Sequence, residues 1–121
     1  MTDVLVIENS KKLADLFAKS LLLTGFSIDT AVGCHEGRTK LYDHQYQAIV
    51  MNPFFRDGSA DDLLEMLRNE NMLSRVLVCS ADQERVNRSI EQGIMAVSKP
   101  ISFLHLGQLV SHMVRTAPIQ A

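Results

Sequence analysis

Two short runs, Val4-Leu5-Val6-Ile7 and Ala48-Ile49-Val50-Met51, are apolar at every position. A strand with one wet face alternates apolar and polar residues. A run without alternation suits a strand covered on both faces, as in a parallel sheet. Each run stops at polar residues, Glu8-Asn9 after the first and Asn52-Pro53 after the second. Parallel neighbours cannot be joined by a tight turn, so the sequence between them must supply crossover helices.

Those helices are legible. Ser10 is placed to cap a first helix, in which Leu13, Leu16, Phe17, Ser20 and Leu21 recur at three- and four-residue spacing. Gly25 ends it, since glycine takes the left-handed position after a helix without penalty. Residues 26–31 alternate and predict a second strand nearer an edge, and residues 33 to about 42 predict a weaker helix. After the loop 54–58, Ser59 or Ala60 opens a helix carrying Leu63, Leu64, Met66 and Leu67, with Asp61 and Asp62 suited to its positive end. Residues 75–79 predict a fourth strand ending in Ser80-Ala81. Residues 82–92 predict a polar helix with Val86 and Ile90 as its apolar positions, stopped by Gly93. Residues 95–97 predict a fifth strand ending in Ser98-Lys99-Pro100. The last helix, from about residue 102 to 115, carries Leu106, Leu109, Val110 and Met113 on one face.

Strand–helix units in alternation, without an internal repeat, predict an α/β fold: one doubly wound, five-stranded parallel sheet with helices on both faces. Right-handed crossovers bring the carboxyl ends of all strands to one edge, and chemistry in open sheets sits there. The positions to read are therefore Glu8 and Asn9, Asn52, Ser80, and Lys99 with Pro100.

The chain has 121 residues, enough for one domain over 1–121 with a core of about 3–115 and a tail or linker start at 116–121. Apolar residues make up 46% and charged residues 21%, which is ordinary for a soluble globular domain and argues against disorder. The net charge of −2, with no Lys/Arg cluster, gives no reason to expect direct nucleic-acid binding. No apolar stretch approaches the ~20 residues of a membrane span. Met1-Thr2-Asp3 does not open a secretory signal. Cys34 and Cys79 lack metal-ligand spacing and read as reduced thiols of a cytoplasmic protein. His35, His44, His105 and His112 also lack metal spacing and read as surface or partly buried side chains.

The strand-end residues, in this order, resemble the receiver domain of bacterial response regulators, the CheY-like domains of flavodoxin-like fold. The resemblance runs from Val4 to about Met113. In that family strand one ends in an acidic pair that holds Mg²⁺, and strand three in the aspartate that accepts the phosphoryl group. Strand four ends in Thr or Ser before Ala, and strand five in Lys-Pro, usually through a cis bond. Here Ser80-Ala81 and Lys99-Pro100 match, and Asp57-Gly58 with Leu63-Leu64 supports the register downstream of strand three. Glu8 keeps one carboxylate of the pair and Asn9 replaces the other. Asn52 stands at the phosphoacceptor position, Arg56 replaces a usual proline, and Ala96 occupies the position of a switching aromatic.

The resemblance thus implies a degenerate receiver, or pseudo-receiver. An amide oxygen is a poor nucleophile, so no acyl phosphate is expected at Asn52. Mg²⁺ prefers several anionic oxygens, so with Glu8 as the residual ligand its binding is expected to be weak or absent, and no other cofactor is expected. The reading is a non-enzymatic, phosphorylation-independent protein–protein module, acting through the face of the fourth helix, fifth strand and fifth helix. A homodimer stays open. Asn52 is expected to bond Lys99 or Ser80, Lys99 to pair with Glu8, and Ser80 to satisfy a loop backbone group. Two alternatives stand beside this reading. One is a receiver phosphorylated on Asp57 or Glu8; the other is a flavodoxin-like cofactor binder, for which residues 8–12 lack a glycine-rich phosphate loop. Cys34, near a helix start where a thiol pKa can fall, is the better candidate for reactivity, and Cys79 reads as a core residue. Phe54 and Phe55 either fold onto the core or mark a contact surface.

Overall fold

The computed structural model describes residues 3–116. Within them the chain runs β1 (Val4–Glu8), α1 (Lys11–Leu21), β2 (Ile28–Val32), α2 (Gly33–Asp43), β3 (Ala48–Met51), α3 (Ala60–Asn69), β4 (Val76–Ser80), α4 (Gln83–Glu91), β5 (Met95–Ser98) and α5 (Phe103–Thr116). The strands form one sheet in the order β2-β1-β3-β4-β5, every pair parallel. This is the doubly wound α/β architecture that the strand–helix alternation predicts. Of the predicted tail, residues 117–121 lie outside the described residues, and Thr116 closes α5.

The unalternating runs occupy the centre. β1, β3 and β4 are buried at every position. Leu5, Ile7, Ile49, Met51, Val76 and Val78 face a core closed by α2 and α3, with Leu63, Leu64 and Leu67. Val4, Val6, Val50, Leu77 and Cys79 face the other core, closed by α1 and α5 through Phe17, Leu21, Leu106, Val110 and Met113. Each such aliphatic side chain, fully buried, contributes roughly 1.5–3 kcal/mol. The two cores therefore supply most of what holds the scaffold together. The chain reverses direction across the sheet between β1 and β3, so the switch point lies at their carboxyl ends.

Several boundaries and faces differ from expectation. β2 starts at Ile28, because its ladder begins at the Val4↔Ile28 pair and Ser27 is tied to Asp3 instead. Arg75 precedes β4 in a 3₁₀ turn, where its buried guanidinium donates to the Tyr46 carbonyl at 3.0 Å. α1 is rolled so that Ala14, Phe17 and Leu21 meet the sheet, leaving Leu13 and Leu16 exposed. On α4 Val86 is buried but Ile90 is exposed, and Arg85 and Ser89 share the buried face. Arg85 reaches Asp61 Oδ1 at 2.8 Å, so an ion pair joins α4 to α3 where apolar spacing predicts Ile90. The capping residues behave as read. Ser10 accepts from Leu13 N, Ser59 from Asp61 N, and Gly25 takes φ +82° after a short 3₁₀ extension of α1.

Candidate functional site

Glu8 ends β1 almost wholly inside the protein, at 1% exposure. A buried carboxylate is costly unless its oxygens are satisfied. Here Asn52 Nδ2 donates to Oε1 at 2.9 Å and Lys99 Nζ donates to Oε2 at 2.9 Å. The Asn9 backbone N–H adds a longer contact to Oε1 at 3.3 Å. Three strand ends, β1, β3 and β5, are thus tied through one side chain.

Each partner is fixed in turn. The Asn52 backbone N–H donates to the Ile7 carbonyl at 3.0 Å, extending the β1–β3 pairing by one step. Its amide orientation is set from both ends: Oδ1 accepts from the Phe54 N–H at 3.1 Å while Nδ2 faces Glu8. Asn52 therefore bonds Glu8 and not the expected Lys99 or Ser80, because Glu8 supplies the acceptor that its amide hydrogens need. The Lys99 backbone N–H donates to the Ser80 carbonyl at 2.8 Å, and its ammonium lies 5.0 Å from the centre of the Phe17 ring. That ring adds an attraction for the cation, a role that the helical spacing of Phe17 alone does not reveal. The Lys99–Pro100 peptide is cis.

Ser80 is buried, and its Oγ accepts from the Asp82 N–H at 3.0 Å, a contact to loop backbone. Ala96 is partly buried on β5 opposite Val78, and Ser98 Oγ donates to Gln83 Oε1 at 2.7 Å, joining β5 to α4. Asn9 Oδ1 is buried without a hydrogen-bond partner among the described residues.

Asp57 lies apart from this network. Its Oδ1 accepts from Cys34 N at 2.7 Å and its Oδ2 from His35 N at 3.1 Å, so it caps α2 from the β3–α3 loop. These backbone donors hold its carboxyl below the usual aspartate range. Gly33, at φ +88°, is where the helix meets this carboxylate: a Cβ there would fall 2.7 Å from Asp57 Oδ1. In the same loop Phe55 packs onto the core, while Phe54 is exposed and pairs with Ser59 in an antiparallel bridge.

The thiols are not activated. Cys34 is buried at the start of α2, and burial raises its pKa, overriding the helix-terminus effect that the sequence suggests. Burial pushes Cys79 up to about 12. The four histidines are exposed.

In chemical terms the pocket offers one carboxylate with both oxygens engaged, an amide in place of a second anion, and an ammonium already paired. That donor set does not suit Mg²⁺, which prefers hard anionic oxygens in an octahedral shell. Among the described residues no group of three or more His, Cys, Asp and Glu could hold a metal ion.

No family model matches the chain, and no curated protein matches it. Solved structures do. The receiver domain of a Francisella response regulator superposes with a TM-score of 0.85 at 22% identity, covering 98% of this chain and 100% of that one. A two-component response regulator from Clostridium difficile gives 0.80 at 22% identity, over 96% and 98%. The response regulator TrrA from Thermotoga maritima, solved with Mg²⁺-BeF, gives 0.81 at 18% identity, over 93% and 99%. The fold of this chain is that of the response-regulator receiver domains.

Proposed function

We propose that this chain is a receiver-type signalling module of two-component type that works without phosphorylation, by contact with other proteins. The observation that carries the reading is Asn52 at the end of β3, donating its amide to Glu8 while Lys99 holds the other oxygen. An acceptor site needs an anionic nucleophile, a cation for the phosphoryl oxygens and free preorganised donors. In this pocket the nucleophile is an amide and the cation is already paired.

On this reading Mg²⁺ binds weakly or not at all, no other cofactor is required, and the module is not an enzyme. It works in the cytoplasm, without direct contact to nucleic acid or membrane. No helix among the described residues is long and apolar enough to cross a membrane. One contact face is that of α4, β5 and α5, where Ile90 and Met95 are exposed, and it also serves if the module pairs with itself. With Ala96 in place of an aromatic, β5 has no ring to reorient at that position.

The alternative acceptors are disfavoured by their contacts: Asp57 spends both oxygens on the α2 terminus, and Glu8 spends both on Asn52 and Lys99. The test is intact mass after incubation with Mg²⁺ and acetyl phosphate. An unchanged mass is expected. A gain of one phosphoryl group, lost on substituting Asp57 or Glu8, establishes the alternative instead.

A further inference from the structure

Charge is divided unevenly over this fold. From Gln92 to the end of the chain there is no Asp or Glu, so the stretch from β5 through α5 carries only Lys99, in the connecting loop, and Arg115, His105 and His112, on α5, as titratable groups. α1 has Lys11, Lys12 and Lys19 against one carboxylate, Asp15, which Lys11 already engages at 3.2 Å. α3 and α4, on the opposite side of the sheet, set Asp61, Asp62, Glu65, Glu84 and Glu91 against Arg68, Arg85 and Arg88, so acids outnumber bases there while bases outnumber acids on α1 and α5. In a chain of net charge −2, the α1–α5 side is the basic one.

The same side is apolar where it is most exposed. Leu23, just after α1, is 98% exposed, and Leu104, in the first turn of α5, is 74% exposed. Between them runs a groove of about 490 Å³, lined by Ser20, Leu23, Thr24, Leu104, Gly107 and Arg115, among others. Gly107 forms part of this lining from inside α5. A glycine within a helix costs roughly 0.5–1 kcal/mol relative to alanine. Packing does not require it here: a Cβ would meet only Thr24 Cγ2, at an ordinary 3.6 Å. What the missing side chain does is keep the groove open.

We infer that the groove between the end of α1 and α5 is a docking site for an acidic amphipathic helix of a partner protein. A helix lays its apolar stripe into such a groove, between the flanking leucines, and its carboxylates meet Lys19 and Arg115. Two other occupants fit less well. A second copy joined by a two-fold axis would set the same basic residues against each other. An anionic membrane is held by clusters of about four to eight Lys or Arg, more than this rim offers. The inference does not rest on the state of the Glu8 pocket.

The test is to pan a display library of helix-scaffolded peptides, about five turns long, against the intact chain in the absence of phosphate and Mg²⁺. The expected peptides are rich in Glu and Asp, with apolar residues at i, i+3 or i+4, and i+7. Their amide shifts fall on Leu23, Thr24, Leu104 and Gly107. Affinity drops about tenfold or more on Gly107→Met, which fills the groove, and on the pair Leu23→Ser and Leu104→Ser, and it weakens with salt. These leucines are exposed, so the variants keep the wild-type Tm, and Gly107→Ala raises it. No enrichment, enrichment of basic or uncharged peptides, or binding that survives both variants overturns the inference. So does sedimentation of the chain with phosphatidylserine vesicles, or a dimer that the same substitutions dissolve.

Discussion

Lys99 and Glu8 are joined by an ion pair of 2.9 Å at the ends of β5 and β1, with the Glu8 side chain 2% exposed and that of Lys99 20%. Few charges in this chain are so dry. Breaking a buried pair by removing one partner typically costs about 3–5 kcal/mol, because the survivor is left uncompensated. Lys99→Met keeps the length of the side chain and removes the charge. It is expected to cost about 3 kcal/mol in denaturant unfolding, and adding Glu8→Gln to it is expected to recover most of the loss. A loss below about 1 kcal/mol in the single variant means that the pair is not the fastening of the strand ends.

Asn52→Asp places a second carboxylate about 3 Å from Glu8 Oε1, while the single ammonium, that of Lys99, is held on Oε2. Without divalent cations this variant is expected to be less stable than the wild type by roughly 1–3 kcal/mol, through lost hydrogen bonding and like-charge repulsion. Mg²⁺ binds the folded state of such a site and stabilises it by mass action. Thermal melts with EDTA and with Mg²⁺ are therefore expected to separate for Asn52→Asp, further for Asn9→Asp with Asn52→Asp, and not for the wild type.

The Asp57 carboxyl is held below its usual range by the Cys34 and His35 N–H groups of α2. A depressed folded-state pKa contributes stability that is present above the unfolded value and lost as pH falls through the folded one. Asp57→Asn is expected to be less stable than the wild type at neutral pH, with the two converging in acid below the usual aspartate pKa of 3.8. Equilibrium unfolding across pH gives both curves. Parallel curves contradict the capping role.

Cys79 is pushed from the usual 9.0 up to about 12 by burial, and Cys34 is raised as well. The sign is opposite to that of Asp57: the stability tied to a raised thiol pKa is full below 9.0 and is lost as pH rises toward 12. At neutral pH neither thiol is expected to react with a disulfide reagent until the chain unfolds. Cys79→Ala is expected to flatten the alkaline fall in stability. Rapid labelling of native Cys79 contradicts its burial.

Much of the fold was legible because β1, β3 and β4 need apolar residues on both faces, and such runs admit few other placements. The strand ends follow from topology, so the sequence alone brings Glu8, Asn52, Ser80 and Lys99 to one edge. Contacts across the sheet were less legible. Helical spacing put Leu13 and Leu16 inward with Phe17, but the close approach of α1 to the sheet favours small Ala14 there and turns the leucines out. Ile90 lost its place to Arg85 because Asp61, 24 residues away, supplies a charge partner that no local pattern shows. Asp57 carried a family register in the sequence, yet its role is set by the α2 terminus that it caps.

On the proposed reading, the Glu8–Asn52–Lys99 network already occupies the phosphoryl site. Backbone amide NMR of the wild-type chain, titrated with Mg²⁺ and beryllofluoride as an acyl-phosphate mimic, tests it most directly. No saturable shifts are expected at Glu8, Asn52, Ser80 or Lys99, while Asn9→Asp with Asn52→Asp is expected to show them. Saturable shifts at those four residues in the wild type would mean that the pocket still opens to a phosphoryl group, and would overturn the phosphorylation-independent reading.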